Sequence, residues 1–437
     1  MRRLGCAELA ARQKCVSRVL THFRNNSVFS DSMSQKPGGS LRSLRRTNEE
    51  QLLALLLARG PLHRAALARW AGISRTTVST IVNDLMARGL VVQSDEEPGE
   101  GHDGRARDLL SVHPRAAAVV GMNHTFDGVW VHLSDLSAQE IASRGTALDP
   151  ACGPTERITA GVGILRDLLD EHALRFDQII GAGIGVPGPI DHTTGSVGVT
   201  LPGQPWSHIH VVREFEQALG LPVAVENNTR LEAVAETRWG AGRGVRNLLY
   251  VGLSNGIAAG LIFDGRLHRG AIGAAGELGH VSVSLDGPTC RCGNRGCLVL
   301  HAGIPAVLAA LRPAFGDGTG LDEMLVRTAA GDRAGEGVFS DVGAVVGQVL
   351  ANMCNLLNPE RIVVGGELSV AGEALLEPMR AAIRRYALSL VRDVEVMPAE
   401  LGLGARVGAL GGAALVLSEA PDLAAALNRM TAGTATP

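Results

Sequence analysis

The sequence predicts an α/β protein with an N-terminal winged helix-turn-helix and a larger two-lobed body. Three observations lead there. Apolar residues recur at helical spacing in three short segments between Thr47 and Arg88, and two short strands around a glycine-containing loop follow. A strand-turn-strand pattern occurs twice, at 119–135 and 248–263, as an internal duplication would place it, with helical segments between. Charge is divided as well. Residues 1–115 hold 18 Lys and Arg against 11 Asp and Glu, about +7, and the remainder holds 23 against 33, about −10. A basic head on an acidic body suggests that the head meets a polyanion.

Residues 1–40 lack sustained periodicity and end in the linker-like Ser34–Ser40 stretch, so a disordered tail is expected, with translation starting at Met1 or Met33. The winged helix is expected over 41–114. Thr47-Asn48-Glu49-Glu50 has the form of a capping box, and Leu52, Leu53, Leu55, Leu56 and Leu57 follow, enough for a buried helix that Gly60-Pro61 ends. Arg64 to Trp70 forms a second short helix. Ala71-Gly72-Ile73-Ser74 is the turn, with Ser74 a good N-cap for a third helix from Arg75 to Arg88. Val78, Ile81, Val82, Leu85 and Met86 give that helix one apolar face. Its other face begins with Arg75, Thr76, Thr77, Ser79, Thr80 and Asn83. Short polar or basic residues at this place in a helix-turn-helix can reach base edges and phosphates of double-stranded DNA. Strands at 89–92 and 109–112 flank a wing whose Arg105 and Arg107 suit a minor groove or phosphates. A winged helix used for protein contacts is the alternative; the charge of the head favours DNA.

At 437 residues the chain is expected to hold two or three domains. No apolar run is long and uninterrupted enough to suggest a membrane span. Arg2-Arg3 resembles the start of a twin-arginine signal, but no apolar segment follows before Lys14. Of the seven Cys, three crowd into 290–297, which fits a reducing cytoplasm better than a disulfide framework. With His280 upstream, Cys290, Cys292 and Cys297 offer four N or S donors on a glycine-rich turn, and zinc takes four such donors in a tetrahedron. A structural Zn2+ is expected. With every position filled, no place remains for an activated water.

Gly-Glu-Leu-Gly-His at 276–280 followed by Cys-Arg-Cys-Gly-Asn-Arg-Gly-Cys at 290–297 resembles the signature of the ROK family, which contains sugar kinases and sugar-responsive transcriptional regulators. The resemblance extends over about Leu41 to Ser418. It implies an actin-like, ribonuclease H-like body over 115–418; the residues after it, 419–437, are expected to be a frayed C-terminal tail. Gly104-Arg105-Ala106-Arg107 resembles the family's basic wing, where Gly-Arg-Pro-Pro is more usual. Gly185-Val186-Pro187-Gly188 matches the turn at the interlobe cleft, and Gly365-Gly366 resembles the adenosine-side turn. The resemblance also places Gly188, Asn227, Asn228, Glu277 and His280 at the ligand cleft.

The catalytic parts of the pattern are altered. Where kinases of the family carry Asp-x-Gly-Gly-Thr, this chain has Asn123-His124-Thr125-Phe126-Asp127, without the glycines that let backbone amides approach a phosphate. The second loop, Ser254-Asn255-Gly256-Ile257-Ala258, is depleted of glycine too. The kinases' general base follows Asn in an Asn-Asp pair, and here the pair is Asn227-Asn228. An amide does not accept a proton at neutral pH. The sugar-binding Glu of Gly-Cys-Leu-Glu is Val299.

Three readings follow. The first is a DNA-binding regulator, a repressor by resemblance, whose degenerate, non-catalytic kinase body senses a sugar or related small molecule as a homodimer or homotetramer. The second is an active sugar kinase with a DNA-binding head, and the third is a body that only oligomerises. The joint loss of base and phosphate loops disfavours the second.

Overall fold

The computed structural model describes residues 41–93, 109–198, 206–207, 209–418 and 420–432. Helix α1 (Leu41–Arg59), strand β1 (Leu62–His63), α2 (Arg64–Ala71), α3 (Arg75–Ala87), β2 (Val91–Gln93) and β3 (Leu109–Val112) form the winged helix-turn-helix. Strand β3 pairs antiparallel with both others, in the order β1-β3-β2. Ser74 Oγ accepts the Thr77 N–H at 3.1 Å and starts α3. Val78, Ile81, Val82 and Leu85 are buried against Leu52, Leu53, Leu56 and Leu67. The start expected for α1 is corrected: Thr47 lies inside the helix, and its hydroxyl donates to Ser43 O at 3.1 Å. A hydroxyl bonded to the carbonyl four residues back is a mid-helix arrangement, not a cap. The expected tail at 1–40 and the wing tip with Arg105 and Arg107 lie outside the described residues.

From Glu49 onward the chain forms one unit. Its first lobe contains β4 (Ala118–His124), β5 (Gly128–Asp135), β6 (Glu140–Ala147), α4 (Pro154–Glu171), β7 (Ile179–Val186), the hairpin β8 (Ile190–Asp191) and β9 (Ser196–Val197), α5 (Val211–Leu219) and β10 (Val223–Asn227). Helix α6 (Asn228–Trp239) leads to the second lobe: β11 (Leu248–Leu253), β12 (Ile257–Phe263), β13 (Arg266–Leu267), α7 (Val299–Ala302), α8 (Ile304–Phe315), α9 (Leu321–Ala329), α10 (Arg333–Leu357), β14 (Arg361–Gly365), α11 (Glu373–Tyr386) and β15 (Glu395–Pro398). Helices α12 (Ala405–Ser418) and α13 (Ala420–Ala432) close the chain.

The sheets run β10-β7-β4-β5-β6 and β15-β14-β11-β12-β13. Each is an antiparallel three-strand meander extended by two parallel strands, in the same relative order. The duplication expected from the two strand-turn-strand patterns is therefore a duplication of whole sheets. The central strands are buried along their length, as sheets covered on both faces require.

Two sequence readings are corrected in the helices. Residues 420–432 are helical rather than frayed, and Leu423, Ala424 and Leu427 are buried in one cluster with the winged helix and with Val119, Ile180, Val416 and Leu417 of the body. Apolar side chains four apart have found a common face to cover. Helix α10 is long and apolar enough to cross a membrane, although the sequence suggested no such run, but half of that apolar window is buried in the protein. Its Phe339, Val342, Val346 and Leu350 sit in the second-lobe core.

Candidate ligand cleft and metal cluster

The soft donors converge. The short 3-10 turn Leu278–His280 presents His280, and the loop after it returns through isolated bridges Thr289–Arg295 and Ser282–Cys297. Gly296 has φ 59°, and a Cβ there would collide with Ser284 O, so only glycine lets this loop double back. Cys290 Sγ lies 3.8 Å from His280 Nδ1, and Cys292 Sγ lies 3.7 Å from Cys297 Sγ. All four ligand atoms fall within 4.8 Å of one another. A tetrahedron of thiolates around zinc has edges of about 3.8 Å, so the donors are spaced as a single ion would hold them. Burial first, then the neighbouring thiols, push the Cys297 thiol up to about 12. A cation is what would let so crowded a thiol give up its proton. The cluster could hold a metal ion. His280 Nδ1 faces the cysteines, which assigns that nitrogen to the cluster rather than to the cleft.

The carbonyls of the Thr125–Phe126 turn are held by a buried arginine. Arg157 on α4 is fully buried, and its guanidinium donates to Thr125 O and Phe126 O, each at 2.7 Å, and to Cys152 O at 3.0 Å. Thr125 Oγ1 donates to Asp127 at 2.8 Å. Asn123, 1% exposed, is wedged between Gly185 and Gly408 of α12. His124 packs against Trp206 and Phe215, and burial, helped by Arg157, lowers it to about 3, so it stays neutral. In the second loop Ser254 O accepts the Ile304 N–H at the start of α8.

The predicted cleft residues gather at the N-terminus of α6. Asn227 Oδ1 accepts the Thr229 N–H at 2.9 Å, and its amide donates to Gly188 O at 3.0 Å, tying the Gly188 turn to the helix. Asn228 donates to His124 O at 3.0 Å, and its Oδ1 is buried without a partner. Glu277 comes from the second lobe, half-buried, with Oε1 3.6 Å from Arg230 Nη2. Val299 packs against the second-lobe core. Sequence reasoning missed Glu226, which is fully buried and ion-paired to Arg230 and Arg269, with His192 Nε2 3.3 Å from its Oε2. Burial pushes this carboxyl up, but the His192 hydrogen bond and the two arginines outweigh it and hold it at about 2.

At the Gly365-Gly366 turn the environment is acidic. Tyr250 OH donates to Glu232 at 3.0 Å, and Glu367, which follows Gly366, has Oε2 buried without a partner. Burial raises Glu232 to about 8, and the charges of Glu367 and Glu236 add to it, against the Tyr250 hydrogen bond. A raised carboxyl favours the fold fully below its unfolded value of about 4.5, and that contribution is lost as pH rises through 8. Glu232→Gln is therefore expected to stabilise the protein by roughly 1–3 kcal/mol at pH 9 and to remove the decline between pH 7 and 9. Urea unfolding at the two pH values checks this; equal declines in both proteins would refute it.

The recognition face of α3 is open. Arg75, Thr76, Thr77, Thr80 and Asn83 are exposed and Ser79 is half-buried. Asn83 Oδ1 accepts from Arg64 at 3.1 Å, and Thr80 Oγ1 donates to Thr76 O at 3.1 Å. Arg64, not singled out from the sequence, thereby joins the polar face.

Fold and site together define a helix-turn-helix head on a duplicated actin-like body of the sugar-kinase type. The ROK family profile matches residues 137–419, and a MarR family profile matches 48–106. The chain belongs to the ROK family. It is similar to the xylose repressor of Bacillus subtilis (strain 168), 28% identical over 385 residues that cover 87% of this chain and 97% of the relative. It is 27% identical to the DNA-binding transcriptional repressor Mlc of Escherichia coli (strain K12), over 88% of this chain and 96% of Mlc. Among solved structures, a ROK family transcriptional regulator homologous to Mlc shares the fold, with TM-score 0.72 and 23% identity over 89% of this chain and all of the other. A ROK family glucokinase from Streptomyces griseus matches 68% of this chain and 99% of its own, with TM-score 0.58 and 27% identity.

Proposed function

We propose that this protein is a DNA-binding transcriptional repressor whose kinase-like body has become a non-catalytic sensor of a carbohydrate or related small molecule. The observation that carries this reading is the open polar face of α3 on a head packed against a body whose altered loop has its Thr125 and Phe126 carbonyls held by Arg157. Asn228 supports the loss of catalysis, since it stands where the kinases' base would be and cannot take a proton from a sugar hydroxyl. The repressors named above support the regulatory reading. The protein works in the cytoplasm on double-stranded DNA as a homodimer or homotetramer. Gly188, Asn227, Asn228 and Glu277 line the effector cleft, and Arg105 and Arg107 join α3 on DNA. His280, Cys290, Cys292 and Cys297 hold a structural Zn2+, which fixes the geometry of the loop that carries Glu277. Effector binding shifts the lobes only by its difference in affinity between their arrangements.

The test is a salt titration of binding to the DNA upstream of the protein's own gene, with and without D-xylose, D-glucose and N-acetyl-D-glucosamine. Specific binding weakened by one sugar is expected; no specific binding would return the head to protein contacts. Arg75→Ala is expected to weaken binding about tenfold and to reduce the magnitude of the log–log salt slope by about 0.9, because one phosphate contact is lost. An unchanged slope would remove Arg75 from the interface.

A further inference from the structure

An ionic network made of protein groups crosses the cleft beside Glu277. Its hub is Glu226, at the end of β10 in the first sheet and 0% exposed. Glu226 accepts from Arg230 Nη1 at 3.0 Å and from Arg269 Nε at 2.7 Å, and its Oε2 lies 3.3 Å from His192 Nε2. Arg230, one helical turn after Glu226, also donates to Gly273 O at 2.6 Å. The His192 N–H donates to Ile272 O at 3.0 Å. Glu226 and His192 belong to the first lobe. Arg269, Ile272, Gly273 and Glu277 all lie on the segment after β13 of the second. Three separate contacts thus pin one loop of the second lobe: Arg269 to β10, Ile272 to the β8–β9 hairpin and Gly273 to the first turn of α6.

Arg230 is 1% exposed, and its Nη2 has no hydrogen-bond partner. Glu277 Oε1 lies 3.6 Å from it. A helix needs no such group for its own sake: an i,i+4 pair with Glu226 could sit on the surface. Burying the guanidinium is costly unless its hydrogen bonds are made, so its place between Glu226, Gly273 and Glu277 requires an account. The planar fork lets one nitrogen hold the hub and the loop backbone while the other faces Glu277, which a lysine's single ammonium cannot do.

The geometry points to Arg230 as the positioning residue of the effector site: anchored on Glu226, it holds the Glu277 loop of the second lobe against α6. The carboxylate that meets the effector is thus set in place by protein groups. This rests on the reading of the cleft as an effector site, and the test separates the two.

Arg230→Met, Arg230→Lys and Arg269→Gln are compared with the unaltered full chain. Amide hydrogen exchange over 270–280 is read without sugar or DNA, together with metal content. Arg230→Met is expected to speed exchange there at least tenfold while metal content and exchange in α3 stay unchanged. Arg230→Lys should recover part of the protection. Arg269→Gln, at the half-exposed outer end of the network, should give a smaller increase and guards against misfolding of the Arg230 variants. Exchange over 270–280 that matches the unaltered protein in both Arg230→Met and Arg269→Gln would overturn the proposal. Titration with D-xylose, D-glucose and N-acetyl-D-glucosamine then tests the effector role. Any sugar that binds should bind Arg230→Met at least tenfold more weakly than the unaltered protein. If exchange responds as expected but none of the sugars binds, the network stands and the sugar-sensing reading falls.

Discussion

Chelation of the proposed Zn2+ is expected to unfold the loop over 278–298 and lower the melting temperature, with about one zinc released per chain. The magnitude follows from two opposing terms. Zinc bound by thiolates and imidazole in small peptides contributes about 10–16 kcal/mol of apparent binding energy, comparable with the roughly 5–15 kcal/mol that holds a whole domain together. The measured loss should be smaller, because the metal-free loop can open locally while both sheets stay folded. Cys290 and Cys297 are buried, so the loop also has packing contacts of its own. Cys297→Ser removes a buried donor and should abolish stoichiometric zinc, with a loss of about 2–5 kcal/mol in urea unfolding. Leu298 and Val299 follow directly and anchor the loop to the second-lobe core, which sets a further limit on the opening. Retention of full stability and of exchange protection at 278–298 after exhaustive chelation would remove the structural role of the metal.

The parts legible in the sequence are those whose cause is local. The helix-turn-helix could be read because a Ser cap, a Gly turn and an apolar spacing of three and four lie within fifteen or so residues. The metal cluster could be read because three thiols and their glycines are consecutive in the chain. The duplication showed as two similar strand-turn-strand runs, although nothing local reveals that the later strands also take equivalent places in both sheets. What escaped depends on distant partners. Arg157 looks like a surface residue of an amphipathic helix, yet the carbonyls it caps belong to residues 125 and 126. Glu226 collects partners from residues 192, 230 and 269. The Leu41–Arg46 stretch is too polar to announce the first turns of α1, and the Thr47 box supplied a plausible but wrong start. Helix α13 did carry a signal, with Pro421 near its start and Leu423 and Leu427 four apart, but its alanine-rich remainder gives no hint of which surface it covers.

Leu427→Asp is expected to separate the head from the body. Leu427 is 0% exposed, and its cluster holds Leu52, Leu56, Leu67 and Leu85 of the head together with Val119, Ile180 and Val416 of the body. Arg88, at the end of α3, donates to Asn428 Oδ1 at 2.7 Å and to Glu49 at 3.1 Å, so α3 is tied to α13 through one side chain. A buried Leu cut to Ala costs about 2–5 kcal/mol, and a carboxylate there adds its own desolvation. That exceeds the coupling energy of about 1–3 kcal/mol usual between two ligand sites, so communication should be lost before either part unfolds. The structural basis is continuous. Helix α12 packs its glycines against β7 and α6 and contacts Asn123 near the altered loop, and α13 then continues into the head. In Leu427→Asp, thermal unfolding should split into two transitions, and operator affinity should fall at least tenfold while any sugar bound by the body is retained. Arg88→Ala should weaken operator binding less and leave unfolding in one step, because it removes hydrogen bonds but no apolar area. If Leu427→Asp unfolds in one transition and keeps its operator affinity, α13 is not the link. The relation between cleft and head would then have to run through β3, β4 and the short turn between them.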